Sequence, residues 1–449
     1  MNAATLDFIR QHAQDDVRQL ALRPVPAEVD LRTALIQIEG RQLATHKLPT
    51  WAVTDGLLFP PRLALEQCSS EATAQYKRQV VARLLREEEV ARLLMEEEKD
   101  KGEKEKRGKE ERKEELGSRR SFVDLTAGFG VDFASIAPLF SHAIYIERQE
   151  ELCNIARHNL PLLGLPQAVV RCTTAEEELN TLMQEAERLS ILMIDPARRD
   201  SAGRKVALIE DCTPDVCVLQ TQLRAAARFV LIKLSPMLDL TASLRSLKGV
   251  VEVHVVSVEG ECKELLVVMG GKDLMTRTTI PPNEIPICCV DLPSKIGNEL
   301  AQPSTTGKGG IECFTRIEEA TAPLILADGI GTFLYEPNAS LLKAGAFKIL
   351  CQRYPVRKLA PDTHLYTCDK LVEDFPGRRW KVIDSSSFTK NDLRRLLADI
   401  PAADLTLRGF PGSVANLRKQ LRLREGGTTH LIATTLADNS RRLIRVERI

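Results

Sequence analysis

The chain has 449 residues, of which 43% are hydrophobic, 28% are charged and only 4% are aromatic. Single hydrophobic cores stop growing at roughly 250 to 300 residues, so this length predicts two to four domains. The sequence contains no run of about 18 apolar residues, and its start lacks a basic segment followed by an apolar one. We therefore expect a cytoplasmic protein that does not span a membrane.

Charge is unevenly distributed although the formal net charge is zero. The segment from Ser340 to the C-terminus holds 21 Lys and Arg against 11 Asp and Glu, a net charge of +10 that leaves −10 for the rest of the chain. Such an asymmetry is typical of domains that face nucleic acid, although a basic surface also serves solubility alone.

The eleven cysteines are scattered, and no two of them form a CxxC pair. This pattern predicts neither a disulfide framework nor a zinc site, and we expect no metal. The adjacent Cys288 and Cys289 are expected to pack in a core.

Helical periodicity dominates residues 1 to about 85, in "TLDFIRQHAQDDVRQLALR", "DLRTALIQIEGRQLATH" and "SSEATAQYKRQVVARLLREEE". Ser69 or Ser70 is the expected N-cap of the third of these helices. Residues 96–120 follow with ten acidic and ten basic side chains. Because their signs alternate at short range and sum to zero, we predict an exposed helix or a disordered insertion rather than a phosphate-binding polycation.

Strands and helices alternate from Ser121 to about Gly271, which is the pattern of a parallel sheet covered by helices. The first five predicted strands are "SFVDLTAG", "HAIYIER", "AVVRCTT", "SILMIDP" and "RFVLIKLSP". Two more, "VEVHVVSVEG" and "KELLVVMG", have only a short turn between them and must form an antiparallel hairpin. The predicted fold is therefore α/β and Rossmann-like, with parallel strands closed by a terminal hairpin.

A glycine-spaced turn follows the first strand, where "VDLTAGFGVDF" places Asp124, Gly128 and Gly130 before a helix that begins at about Asp132. Glycines let the backbone approach a ligand closely, and a helix N-terminus offers unpaired N–H groups. The third glycine of a dinucleotide fingerprint is missing, which argues against a nicotinamide cofactor. Such a turn can also be purely structural.

Carboxylates end two further strands. Glu147 ends the second strand, 17 residues beyond Gly130, where acidic residues of doubly wound sheets accept hydrogen bonds from ribose hydroxyls. Asp195 and Pro196 end the fourth strand in "ILMIDPARRD", at the edge of the sheet where ligands of open α/β folds bind. The turn, the carboxylates and the strand order together favour an adenosine-containing ligand.

At these residues the sequence resembles the class I S-adenosylmethionine (SAM)-dependent methyltransferases, over about 150 residues. The resemblance implies SAM as cofactor, with Asp124, Gly128 and Gly130 beside its methionine moiety and Glu147 on its ribose. The third motif of the family reads "CTTAEE" here, so that Thr174, Ala175 and Glu176 share the place of the adenine contact. The full predicted cofactor-binding set is Asp124, Thr126, Gly128, Phe129, Gly130, Asp132, Glu147, Arg148, Thr174, Ala175, Glu176 and Asp195.

The fourth motif suggests where the chemistry occurs. In many base-methylating relatives an Asp or Asn is followed by two prolines and an aromatic residue that stacks on the target base. Here Ala197 and Arg198 replace the second proline and the aromatic residue. Arg198 or Arg199 could grip a phosphate or a base carbonyl, or both could simply lie on the surface. The predicted catalytic residues are Asp195, Pro196, Arg198 and Arg199.

The fifth strand ends "LIKLSPM", where C5-pyrimidine methyltransferases of related architecture need a nucleophilic cysteine. Ser235 occupies this place without an adjacent base. This argues against a C5-pyrimidine mechanism.

More widely, the chain resembles a bacterial group of SAM methyltransferases with a helical N-terminal segment and a C-terminal THUMP-like domain. The residues that carry this likeness are "LEQCSSEATAQYK", "DPARR" and "LYEPNASLLKAG". The expected domains are a helical N-terminal domain (1–95), a charged insertion (96–120), a SAM-binding domain (121–271), a small α+β domain with a ferredoxin-like fold as one option (272–340), and a basic THUMP-like domain (341–449).

Three functions remain open at this point. The first is an RNA methyltransferase that recruits RNA through its basic C-terminal domain, since true THUMP domains bind RNA. The second is a methyltransferase for proteins or small molecules, favoured by the missing aromatic residue and the low aromatic content. The third is a catalytically silent SAM-binding interaction protein.

Overall fold

The structure is a computed structural model that describes residues 1–100, 120–185, 187–198, 208–272, 280–294 and 311–449, with residues 91–100 described as backbone only. Most of the charged insertion, and Arg199, lie outside the described residues. The chain divides into two compact units: Met1–Val251, Leu265–Ile280 and Pro293–Gly297 form the first, and Glu252–Glu264, Pro281–Leu292 and Asn298–Ile449 the second. No helix among the described residues is both long and apolar enough to cross a membrane.

The first unit begins with helices, as the sequence predicts. Side-chain caps begin several of them; for example, the Thr73 N–H donates to Ser70 Oγ at 3.2 Å, so Ser70 is the cap expected before the long helix. Buried side chains of these helices pack into one apolar cluster with residues of the glycine turn. The helices are α1 (Ala3–Gln11), α2 (Val17–Leu20), α3 (Leu31–Lys47), α4 (Pro49–Val53), α5 (Arg62–Gln67) and α6 (Glu71–Asp100).

Five parallel strands then form the core of a sheet, which confirms the predicted alternation. The central residues of β1, β2, β4 and β5 are almost fully buried, as expected when helices cover both faces of a parallel sheet, whereas the edge strand β3 is partly exposed. The strands are β1 (Ser121–Asp124), β2 (His142–Glu147), β3 (Val169–Cys172), β4 (Leu189–Ile194) and β5 (Ala227–Leu234). The helices between and after them are α7 (Val131–Ile136), α8 (Glu150–Leu162), α9 (Ala175–Leu182), α10 (Val216–Ala226) and α11 (Leu240–Ser246).

A hairpin follows the fifth strand, as the sequence predicts. Strands β6 (Val250–Val258) and β7 (Glu261–Gly270) are joined by Glu259 and Gly260, both at positive φ. Two consecutive residues at positive φ match the twist of a tight hairpin. Strand β7 pairs antiparallel with β5, which closes the parallel core in the manner of the predicted class.

Two further strands extend this sheet. Strand β8 (Ile287–Leu292) pairs parallel with β6, and β9 (Glu312–Phe314) pairs antiparallel with β8. The strand order is β3-β2-β1-β4-β5-β7-β6-β8-β9. Strands of the segment expected to form a small separate domain thus belong to the large sheet. The domain boundaries themselves stay a prediction.

A disulfide joins Cys288 to Cys313 in the second unit, so the expectation that the cysteines form none is wrong for this pair. The two residues are direct partners on the antiparallel strands β8 and β9, although 25 residues separate them in sequence. Their spacing carries no signal because only the strand register brings them together. Cys288 and Cys289 are both buried.

The rest of the second unit is built around a seven-stranded sheet of order β11-β12-β10-β13-β16-β15-β14. Its strands are β10 (Phe333–Pro337), β11 (Arg357–Ala360), β12 (Thr363–Cys368), β13 (Gly377–Ser387), β14 (Asp404–Arg408), β15 (His430–Thr435) and β16 (Arg441–Arg448). Its helices are α12 (Arg316–Thr321), α13 (Ala339–Ala344), α14 (Ile349–Arg353), α15 (Lys390–Leu396) and α16 (Val414–Leu421). Helix α16 ends at Leu421, and its C-cap residue Arg422 adopts the left-handed conformation.

Candidate active site

The glycine turn between β1 and α7 has the conformation that its composition predicts. Gly128 and Gly130 have φ values of +58° and +88°, in the left-handed region where side chains are strained. A Cβ at Gly128 would meet only the Thr126 carbonyl oxygen, at 3.9 Å, so one side of this turn is open. The backbone there leaves room for the close approach of a ligand.

Glu147, at the end of β2, is buried beside this turn. One of its carboxylate oxygens accepts the Gly128 N–H at 3.2 Å, and the other accepts the Gln149 N–H at 2.8 Å. Each carboxylate oxygen has about two acceptor positions, so each keeps one for a further donor. A ribose with two neighbouring hydroxyls is a ligand of the right kind for this carboxylate.

Asp124 and Thr126 connect the turn to the end of β4. The Thr126 N–H donates to Asp124 Oδ1 at 3.1 Å, and the Asp195 N–H donates to Thr126 Oγ1 at 2.6 Å. Burial is the main cause that raises the pKa of Asp124 to about 8; the Thr126 hydrogen bond and Lys233 oppose it, and the neighbouring carboxylates of Asp132 and Asp195 add to it. Asp124 is therefore a neutral hydrogen-bonding group at neutral pH.

Asp132, in the first turn of α7, is enclosed by cations and a hydroxyl. Lys77 Nζ lies 3.1 Å from its Oδ1, Lys233 Nζ lies 3.7 Å from its Oδ2, and Ser69 donates to Oδ2 at 2.6 Å. Burial by itself would raise the pKa of Asp132, but Lys77 and Lys233 outweigh burial and hold the pKa below its usual range. The sequence indicated Asp132 but gave no sign of these partners.

Asp195 follows β4 and carries the candidate chemistry. Lys233 Nζ, near the end of β5, lies 2.5 Å from its Oδ2, and a third of the Asp195 side chain remains exposed. Pro196 is buried, and Ala197 forms a two-bond bridge with Thr213. Arg198 is partly buried beyond this bridge.

The remaining predicted residues lie apart from this ion network. The Phe129 ring packs against Trp51 at 4.8 Å and Phe59 at 6.0 Å, so it faces the helical layer and any contact with a cofactor would come from its backbone. Arg148 is exposed after β2.

The segment after β3 is occupied by a helix cap. The Thr174 side chain accepts the Glu177 N–H at 3.2 Å in a capping box that begins α9. Ala175 is buried and Glu176 is exposed in the first turn. The Thr173 N–H donates to the Glu147 carbonyl at 3.2 Å, which keeps this segment next to the end of β2.

Lys233, Lys77 and Ser69 are the residues that sequence reasoning missed as parts of the site. Lys233 could have been found, because "LIKLSP" places a lysine at the carboxyl end of the strand next to Asp195. Ser69 was expected as a helix cap. It instead donates to Asp132 from 63 positions away, a contact that no local pattern reports.

The fold and the carboxylate-edged glycine turn define a class I SAM-dependent methyltransferase. Residues 333–376 match the family of ferredoxin-like domains, and residues 377–448 match the THUMP domain-like family. The chain is 24% identical over 323 residues to an uncharacterized S-adenosylmethionine-dependent methyltransferase of Mycobacterium tuberculosis, in two strains, covering 71% of this chain and 78% of that protein.

A crystal structure of a "putative methyltransferase from Porphyromonas gingivalis W83" superposes with a TM-score of 0.75. It is 32% identical in sequence, and the match covers 99% of this chain and 97% of that one. The chain belongs to the same family: SAM-dependent methyltransferases with a ferredoxin-like and a THUMP-like segment at the C-terminus. It is an enzyme, and SAM is its cofactor.

Proposed function

We propose that the protein methylates RNA by direct in-line transfer, with Asp195 orienting the methyl acceptor. The observation that carries this proposal is the position of the Asp195 carboxylate. Asp195 lies at the carboxyl edge of β4, and its backbone N–H donates to Thr126 of the glycine turn. A third of its side chain is exposed. A carboxylate in this place can accept a hydrogen bond from an N–H or O–H acceptor group and take up its proton.

The residues of the turn fit SAM. Glu147 would accept the ribose hydroxyls, the backbone at Gly128 and Gly130 would lie beside the methionine moiety, and the segment from Thr174 to Glu176 would border the adenine. SAM supplies a methyl group already activated by the positive charge on its sulfur. The protein therefore needs chiefly to hold the acceptor in line with that methyl group and to exclude water.

Substrate positioning falls to the arginines after Pro196. Arg198 and Arg199 carry planar guanidinium groups, which bind phosphates and base carbonyls through two parallel hydrogen bonds. They would hold the RNA on the open side of Asp195.

RNA recruitment is supported by the charge of the THUMP-like segment. Its exposed basic side chains can contact phosphates without reading sequence. They include Arg378, Lys381, Lys390, Arg394, Arg395, Lys419, Arg422, Arg424, Arg441 and Arg448. Lys419, Arg422 and Arg424 cluster at the end of α16 and are the first to test.

The direct test is methyl transfer from labelled SAM into a fractionated cell lysate, followed by nuclease and protease digestion. We expect label that is lost to ribonuclease and absent with Asp195→Ala. The Lys248→Ala variant, which changes an exposed lysine of the same unit, should label as the wild type does. Label that survives ribonuclease would refute the RNA substrate.

A second test measures RNA binding between 50 and 300 mM salt. The triple variant Lys419→Gln, Arg422→Gln, Arg424→Gln should bind RNA more weakly and lower the slope of log K against log salt by about 2 to 3, roughly 0.7 to 0.9 for each lost phosphate contact. A triple variant of exposed first-unit residues, Arg10→Gln, Arg32→Gln and Lys248→Gln, is the matched control. RNA affinity that does not change with salt concentration would contradict the proposal that the THUMP-like segment recruits RNA.

A methyltransferase for proteins or small molecules is the second candidate. It is favoured by Arg198, which stands where base-methylating relatives carry a stacking ring. Label in the protease-sensitive or small-molecule fraction would select it.

A further inference from the structure

We infer that Lys233 is a positioning residue for Asp195, holding its carboxylate toward the methyl acceptor and balancing its charge. The inference rests on the proposed role of Asp195, and it goes beyond that role by assigning the group that controls it. Lys233 is the penultimate residue of β5, the strand that pairs with β4 on the side away from β1. Its side chain is only 13% exposed.

The contacts of Lys233 favour Asp195 over the other carboxylate nearby. The ammonium nitrogen lies 2.5 Å from Asp195 Oδ2 but 3.7 Å from Asp132 Oδ2. Asp132 already has Lys77 at 3.1 Å and the Ser69 hydroxyl at 2.6 Å. Lys233 also donates to Ser69 Oγ at 3.3 Å, which fixes the ammonium from its other side. Among the described residues, Asp195 is therefore its principal ionic partner.

The same contacts orient Asp195. Its backbone N–H is fixed to Thr126 Oγ1 at 2.6 Å, and its Oδ2 is fixed to Lys233. No hydrogen bond or ion pair from the described residues engages Oδ1, so we infer that Oδ1 faces the incoming N–H or O–H group. Holding a reacting group in one orientation lowers the barrier by removing its rotational freedom before the reaction. Lys233 thus acts on the acceptor through Asp195 and does not itself contact the reacting atoms.

The alternative is that the pair merely ties β4 to β5. The two readings differ in what they predict for charge. A purely structural pair changes stability when it is broken. A pair beside the methyl group also changes how strongly the site attracts the positive sulfonium of SAM, because removing Lys233 leaves the negative Asp195 unbalanced.

S-adenosylhomocysteine (SAH), the demethylated product, lacks that positive charge and otherwise matches SAM. The ratio of the two dissociation constants, Kd of SAH over Kd of SAM, therefore reports the charge near the methyl group. We expect Lys233→Met in the full-length protein to raise this ratio at least threefold, measured by calorimetry. Lys233→Arg keeps the positive charge and should leave the ratio within twofold of the wild type.

Asp195→Asn gives an independent variant should Lys233→Met fold poorly. This variant leaves the Lys233 ammonium without its counter-charge, so the ratio of Kd for SAH to Kd for SAM should fall. The double variant Lys233→Met, Asp195→Asn should return this ratio toward the wild-type value. Lys248→Met, which removes an exposed lysine, should change nothing. An unchanged ratio in the folded Lys233→Met or Asp195→Asn protein overturns the inference, whatever happens to the melting temperature.

Transfer rates complete the test. In whichever lysate fraction the wild type labels, Lys233→Met should lower kcat at least tenfold without raising the KM for SAM, and Lys233→Arg should restore part of kcat. A kcat that is the same as in Lys248→Met also overturns the inference. The ratio of dissociation constants tests the role of Lys233 and is measured without RNA. The fraction that the wild type labels tests the RNA proposal. The two proposals can therefore fail independently of each other.

Discussion

Each unit of the molecule contains a buried carboxylate held by two cations, and the two clusters differ in the cation used and in its exposure. In the first unit Asp132 is held by Lys77, whose side chain is fully buried, and by Lys233, which is 13% exposed. In the second unit Glu336 is held by Arg408 and Arg378, which are 37% and 51% exposed.

The difference teaches what each cluster can do. Enclosed lysines act as point charges that fix a neighbouring carboxylate, which suits the glycine turn that we propose holds the cofactor. Exposed guanidinium groups have five donors each, so Arg408 and Arg378 can bind Glu336 and still offer hydrogen bonds to an anion. Both arginines line a cleft of about 780 Å³ within the second unit, together with Arg379 and Arg448.

The largest expected effect of a single substitution on stability is at the cluster of Asp132 with Lys77 and Lys233. Lys77→Met should lower the free energy of unfolding by about 3 kcal/mol, because it removes the nearer cation from a buried carboxylate. Chemical denaturation measures this, with Lys248→Met as the exposed control. The double variant Lys77→Met, Asp132→Asn should cost less than the single one, since it removes both charges. A loss below about 1 kcal/mol in Lys77→Met would contradict the claim that the buried ion pair of Lys77 and Asp132 stabilises the fold.

At the cluster of Glu336 with Arg408 and Arg378, the loss of one cation should lower stability less. Arg408→Gln leaves Glu336 with Arg378 and with access to water, so we expect a loss of about 1 to 2 kcal/mol, measured in the same denaturation series. A loss equal to or larger than that of Lys77→Met would remove the distinction between the two clusters. Arg424→Gln, at an exposed arginine of the same unit, is the control.

A substitution at Glu147 tests whether the first unit binds the cofactor at the glycine turn. Glu147→Gln replaces one carboxylate oxygen with an amide that cannot accept an N–H, so it disturbs the Gly128 or the Gln149 hydrogen bond and one ribose contact. We expect the Kd for SAM to rise about tenfold, or about 1.4 kcal/mol, by calorimetry. The exposed Glu185→Gln should bind as the wild type does; equal affinity of the two variants would remove Glu147 from the site.

A separate prediction concerns the pH dependence of stability. The pKa of Asp124 is raised from 3.8 in the unfolded chain to about 8, so the folded protein binds a proton that the unfolded chain releases. This contribution to stability is fully present below pH 3.8 and is lost as pH rises toward 8. Asp124→Asn, which cannot ionise, should therefore flatten the melting temperature between pH 4 and 8. An identical pH dependence in wild type and variant would show that Asp124 does not stay protonated.

Local patterns predicted much of this molecule correctly. The strand and helix alternation, the closing hairpin and the capping role of Ser70 are all as expected. These features depend on residues within a few positions of one another.

The sequence by itself determined the class of fold and the cofactor. Glycines and carboxylates at strand ends are local signals, and the order of parallel strands places those ends at one edge of the sheet. Only the tertiary structure decided which charges meet there. Lys233 reaches Ser69 from 164 positions away, and Cys288 reaches Cys313 through strand register alone. Such pairs depend on how elements pack, and no spacing along the chain specifies that packing.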